Sequence, residues 1–151
     1  MPALPFRLER NPMKEHEFTE QLLADGSTLV FLKHRFLSKR TREQRDWVFA
    51  CLKDSVLAVP VLPVSGKPDL LEDPEGKKFL PIFSQETQMP EDYLCEFNVK
   101  RLPYAQCLQM AKDHPEIDGG LCLDPFTEPM DIDFPLGETI LKMPSRRMER
   151  P

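Results

Sequence analysis

Five carboxylates crowd the last third of the chain, Asp118, Asp124, Glu128, Asp131 and Asp133. Clustered oxygen ligands of that kind are what Mg2+ or Ca2+ requires. The alternation Met130-Asp131-Ile132-Asp133-Phe134 has a simpler account: every second residue is apolar, which sets the two aspartates on the solvent face of a half-buried strand. No metal is expected there. His16, His34 and His114 stand in charged surroundings with no partner at a zinc spacing, so each reads as a surface histidine. Cys51, Cys95, Cys107 and Cys122 lie far apart, each within an apolar stretch. They read as reduced, buried thiols, whose desolvation suppresses the reactive thiolate. There is no Gly-x-Ser-x-Gly elbow, and Gly119-Gly120 leads into a strand rather than a phosphate-binding helix. The sequence therefore points to no catalytic residue, no cofactor and no metal.

One charge feature remains. Lys33, His34, Arg35, Lys39, Arg40, Arg42 and Arg45 fall in a short window. A solvated corner between two helices explains them; the sharper alternative is an electrostatic patch for an acidic partner or nucleic acid. The net charge of -5 and pI near 5.3 weigh against nucleic acid and anionic membranes. No exposed aromatics interleave with the patch to stack bases.

The elements that must position these groups follow from proline and periodicity. With 151 residues, 40% of them hydrophobic, the expectation is a single domain with one core. Prolines avoid residues 13–59 and then recur to Pro135. Since proline interrupts helix interiors and central sheet ladders, a helical first third should precede short strands joined by turns. The fold class is thus α+β: N-terminal helices packed on a mixed sheet of about five short strands. The expected organisation is a flexible arm at 1–12, a helical region at 13–54, an α+β core at 55–142 and a flexible tail at 143–151.

Asn11-Pro12 should open the first helix and Asp25-Gly26 should end it. Residues 27–38 favour a helix, with 28–32 as a competing strand. Thr41 caps the next helix, with Gln44 as return partner of a capping box, and Trp47, Val48, Cys51 and Leu52 form its core stripe. Strands are expected at 56–62 and 79–83, separated by polar turns. Pro60 and Pro81 must each face a free donor side or a bulge. A strand at 95–101 would turn Cys95, Phe97 and Val99 inward. A helix from Pro103 to Asp113 then leads to a strand at 120–123, a strand-helix-strand unit that permits parallel pairing. A hairpin to 130–134 and a last helical turn at 138–142 complete the chain. The N-terminus lacks an export h-region and no segment supplies the roughly 20 apolar residues of a membrane span, which points to the cytoplasm.

Three stretches carry a resemblance: Leu57-Ala58-Val59-Pro60-Val61, Phe79-Leu80-Pro81-Ile82-Phe83-Ser84-Gln85-Glu86, and Gly120-Leu121-Cys122-Leu123-Asp124-Pro125-Phe126. Their order and spacing resemble the N-terminal domain of the SseB family over roughly residues 47–141. The chain departs from that pattern in Ser84, where threonine is common, and Asp124, where asparagine is common; it has no room for the second domain of longer members. The resemblance implies a bacterial, mostly cytoplasmic protein without established catalytic residues. The leading functional expectation is a non-enzymatic protein-interaction or regulatory module. The alternative is a small-molecule-binding protein or enzyme with a site assembled from distant loops. The turns after the second and fourth strands could meet at one sheet end, forming a partner surface from Phe83, Ser84, Asp124 and Phe126, although ordinary turn chemistry accounts for the same residues. The partner expected is another protein, and self-association is left open.

Overall fold

The computed structural model describes residues 19–145; the arm at 1–12 and the Asn11-Pro12 cap lie outside them. Helix α1, Glu20–Asp25, begins where the Thr19 hydroxyl accepts the Leu22 N–H, and it ends at Gly26, whose φ of 81° is left-handed. Only glycine fits there, because a Cβ would lie 2.0 Å from the Ser84 carbonyl oxygen. Helix α2, Ser27–Ser38, follows at once, so the strand alternative for 28–32 loses. Its stripe of Leu29, Leu32, Lys33 and Phe36 has helical spacing. In α3, Arg42–Asp54, Thr41 accepts the Gln44 N–H at 3.1 Å. The return half of the expected capping box is absent: the Thr41 N–H donates to Lys39 O, and Gln44 Oε1 is buried without a partner.

Among the described residues six short strands follow, in two sheets. β1, Val56–Val61, pairs antiparallel with β4, Asn98–Pro103. The second sheet has the order β2, β3, β5, β6, where β2 is Leu71–Glu72, β3 Lys78–Ile82, β5 Gly120–Leu123 and β6 Met130–Ile132. β3 and β5 run parallel and the outer pairs antiparallel. Ala58 and Phe83 bridge the two sheets, exchanging N–H···O bonds of 2.8 and 2.9 Å, and a second bridge, Val61 to Pro68, ties β1 to the segment that leads into β2. Alternate residues of a strand face the same side, so Pro60 and Pro81, each two positions from the Ala58–Phe83 bridge, both turn toward the seam. Neither has an N–H to give it, so β1 and β3 do not pair beyond the bridge, and the Pro60 carbonyl accepts instead from Asp69 N–H at 3.2 Å.

The expected crossover is corrected in its pairing. Helix α5, Tyr104–Lys112, does connect β4 to β5, but the parallel partner of β5 is β3. Every residue of β5 is buried, as a central strand requires, whereas β4 is largely exposed and suits an edge. The expected strand at 95–97 is also corrected. Pro90 with Glu91 and Asp92 starts a one-turn helix, α4, Glu91–Leu94, leaving Cys95 as its exposed C-cap. At the other end, β6 stops at Ile132 because Asp133 caps α6, Phe134–Leu141, accepting the Leu136 N–H at 2.9 Å with Pro135 in the first turn. Asp133 and Phe134 therefore leave the strand, and the last helical turn is a full helix.

Strand alternation sorts the core. Leu57 and Val59 of β1, Leu80 of β3 and Leu121 of β5 join the main cluster with the helices, while Ala58 and Phe83 face a smaller cluster around Met89. Tyr104 of α5 donates its hydroxyl to Gly137 O at 2.9 Å, and Lys53 of α3 donates to Leu141 O at 2.6 Å, so both neighbouring helices hold α6 by its backbone.

Candidate functional site

Parallel pairing of β3 with β5 places Ile82 beside Leu123, so the turns that follow these strands meet at one sheet end. Asp124 leaves β5 with φ 51°, a left-handed conformation that a short polar side chain tolerates. Its carboxylate accepts the Ser84 N–H at 2.9 Å on Oδ1 and the Ser84 hydroxyl at 2.8 Å on Oδ2. Lys33 Nζ donates to the same Oδ2 at 2.5 Å and to Glu128 O at 2.9 Å. The lysine side chain is 2% exposed and the aspartate 0%.

This geometry corrects two expected surfaces at once. Phe83, Ser84 and Asp124 are wholly buried, and of the four only Phe126 reaches solvent. Lys33 leaves the basic patch because it stands four residues after Leu29, on the buried stripe of α2. The burial explains the result: a buried charge must be paired, and here the counterion comes from the opposite end of the chain. The signal was a lysine on an apolar stripe. Around Phe126 the turn is dressed with aromatics, Phe126 stacking on Phe83 at 6.1 Å and lying 4.9 Å from Tyr93, whose hydroxyl donates to Asp69 at 2.6 Å. Burial and then that hydrogen bond hold the Tyr93 phenol above its ordinary pKa.

The remaining cations of the patch surround the corner between α2 and α3. Lys39, Arg40, Arg42 and Arg45 are exposed, and Arg35 is half-buried. Arg35, Arg40 and Arg45 lie over the rings of Phe31, Phe36 and Phe49, at 5.8, 5.5 and 5.6 Å; Phe31 is 48% exposed, which corrects the expectation that no exposed aromatic stands among these cations. His34 is exposed and faces Glu128 at 3.8 Å.

Beside this corner, α3 and α6 bound an open groove of about 910 Å3. Trp47, Phe49, Leu136 and Met143 give it apolar walls, and Arg42 and Arg45 stand on the α3 side with Glu43 and Asp46. Trp47, expected only as a core anchor, packs on the core and lines the groove as well. Sequence reasoning missed Leu136, Thr139 and Met143, since nothing local says that α6 lies beside a helix some ninety residues earlier.

Chemically, the groups that converge are sealed. Burial pushes the Cys51, Cys107 and Cys122 thiols up to about 12, while Cys95 is exposed. Among the described residues no three His, Cys, Asp or Glu side chains gather closely enough to hold a metal ion, and no helix is long and apolar enough to cross a membrane. In comparison with known proteins, the family model for the SseB protein N-terminal domain matches residues 34–135, from the middle of α2 to the first turn of α6. No curated protein and no solved structure matches the chain.

Proposed function

The chain belongs to the SseB family, whose N-terminal domain it carries, and from that premise we propose that it is a non-enzymatic protein-interaction module presenting the groove between α3 and α6. The observation that carries this reading is the groove itself: a broad depression with apolar walls and charges at its margin. A hydrophobic centre with a polar rim is the composition of a protein-binding face. The polar residues that do converge, Lys33, Asp124 and Ser84, are used up in holding the fold together.

The test is site-specific photo-crosslinking in intact cells of the native host, with the photoreactive residue at Thr139 on the groove or at Glu116, exposed and outside its lining. A discrete protein adduct from Thr139 alone is the expected result. Adducts of equal yield from both positions, or a metabolite co-purifying with the uncrosslinked protein, would overturn the reading in favour of another face or a small-molecule site.

A further inference from the structure

We infer that the outer edge of β4 receives an extended segment of a partner protein, which adds a third strand to the β1–β4 pair and sets a carboxylate opposite Lys100 and, two residues away, an apolar side chain against Leu102 and Met110. This surface is separate from the groove between α3 and α6 and does not depend on it. In an antiparallel pair, residues that exchange hydrogen bonds alternate with residues whose N–H and C=O point outward. Ala58 gives both backbone groups to Phe83 across the seam. The Ala58–Arg101 pair is therefore one that exchanges none, and Arg101 turns its N–H and C=O away from β1. Val99, opposite Pro60, does the same, and the Pro60 carbonyl accordingly accepts from Asp69 on the other side. Among the described residues neither Val99 nor Arg101 has a further backbone partner. Free donors and acceptors at ladder spacing select extended backbone, the recognition mode of strand addition. The outer strands of the second sheet, β2 and β6, have only two and three residues, against six in β4, and offer no comparable edge.

The same edge is one wall of a groove. Lys100 and Leu102 lie opposite Val59 and Leu57, on the face of the pair that joins the main core. With Gln106, Gln109 and Met110 of α5 they line an open depression of about 380 Å3. Every second side chain of an added strand points into it. Leu102 and Met110 are half-buried and pack on the core, which makes them its apolar floor. Lys100 is exposed and forms no ion pair among the described residues. Asp113, at the C-cap of α5, also borders the groove, where it accepts the Gln109 amide at 2.8 Å. β4 itself carries Lys100 and Arg101 and no carboxylate. Opposite charges directly across neighbouring strands attract and like charges repel, so a carboxylate is favoured opposite Lys100. That rule also disfavours a second copy of this chain, because the fullest symmetric registers set Lys100 against Lys100 or Arg101 against Arg101. The Arg101 side chain is already engaged, donating to Ala24 O at 2.5 Å, and the choice of partner falls to Lys100.

The experiment is a display selection of random peptides on the immobilised full chain, followed by amide hydrogen exchange of the wild-type protein with and without the enriched peptides. Expected are peptides with an acidic residue two positions from an apolar one, which slow exchange at the Val99 and Arg101 amides, rapid in the free chain. Methylating the peptide nitrogens at alternate positions should abolish binding in one phase and spare it in the other, because only one set of N–H groups meets the edge. Lys100→Glu, at an exposed position, should weaken binding about fivefold by turning an attractive cross-strand pair into a repulsive one. A thermal melt confirms that this variant remains folded. If no enriched peptide slows Val99 and Arg101, the edge is not a docking surface, whatever the groove between α3 and α6 receives. Peptides that protect both amides but carry no carboxylate, and bind Lys100→Glu equally well, would overturn the acidic partner. Slow exchange at both amides in the free chain that becomes rapid on dilution would put a second copy of the chain on the edge in place of a partner protein.

Discussion

Replacing Lys33 by methionine isolates the energetic role of the buried ion pair. Methionine keeps the apolar stem that packs along α2 and removes only the ammonium, which leaves the Asp124 carboxylate, 0% exposed, with the two Ser84 donors and no cation. Removing one partner of a buried pair costs about 3–5 kcal/mol. For a chain of this length each kcal/mol moves the melting temperature by roughly 2–4 °C, so a fall of about 6–20 °C is expected. Asp124→Asn should cost less, because asparagine tolerates the left-handed turn and its carbonyl can still accept the Ser84 N–H. The double variant should be more stable than Lys33→Met alone, with a coupling energy of about 1–3 kcal/mol in a urea-denaturation cycle. If Lys33→Met changed stability by less than about 1 kcal/mol, or the two effects simply added, the pair would not be a desolvated contact and the reasoning would fail.

Thiol reagents offer a second check: in the native protein the exposed Cys95 should react, while Cys51, Cys107 and Cys122 react only after denaturation, read by mass spectrometry of the alkylated peptides. Because burial raises these three thiols from an ordinary 9.0 to about 12, their contribution to stability is full below pH 9 and declines as pH rises toward 12, so urea midpoints should fall across that window. Gly26→Ala should be far more damaging than Gly66→Ala. Both pay about 1–2 kcal/mol for left-handed backbone, but only at Gly26 does the new Cβ strike a carbonyl, and calorimetry of the two variants measures the difference. Tyr104→Phe should lower stability by about 1 kcal/mol through the lost bond to Gly137 O, seen as a shifted denaturation midpoint with an unchanged slope.

Local signals located the helical third and most of its ends, but the helix expected to run from Asn11-Pro12 to Asp25 is broken at Thr19, which is extended and caps α1. Asp25-Gly26 ends α1, Thr41 starts α3, and the length of 27–38 outweighs its β-branched character. They carried the strands as segments but not as partners. Nothing within β4 says that it pairs with β1, because strand choice is decided by which neighbours bury β5 on both sides. Where a start signal overlapped a strand pattern at Asp133, the helix cap won over alternation, and Pro90 with Glu91 and Asp92 opened α4 just ahead of the expected strand without a side-chain cap. The candidate site was legible in its arginines, which follow directly from composition. The groove was not, since it exists only once α6 returns to α3. Lys33 lay in view on an apolar stripe, but its partner stands 91 residues away.

That separation also sets an order of events during synthesis. Lys33 leaves the ribosome 91 residues ahead of Asp124, an interval of roughly 5–20 s at ordinary elongation rates. Over that time α2 holds a cation on its apolar face with no counterion in existence, so seating the helix against the sheet is penalised until the last third of the chain has been made. The helical region can form its turns early, but its final docking is postponed. A nascent chain halted before residue 124 should therefore expose the inner face of α2 to proteases and chaperones, and the lysine acts as a gauge of whether translation has run far enough for the fold to close.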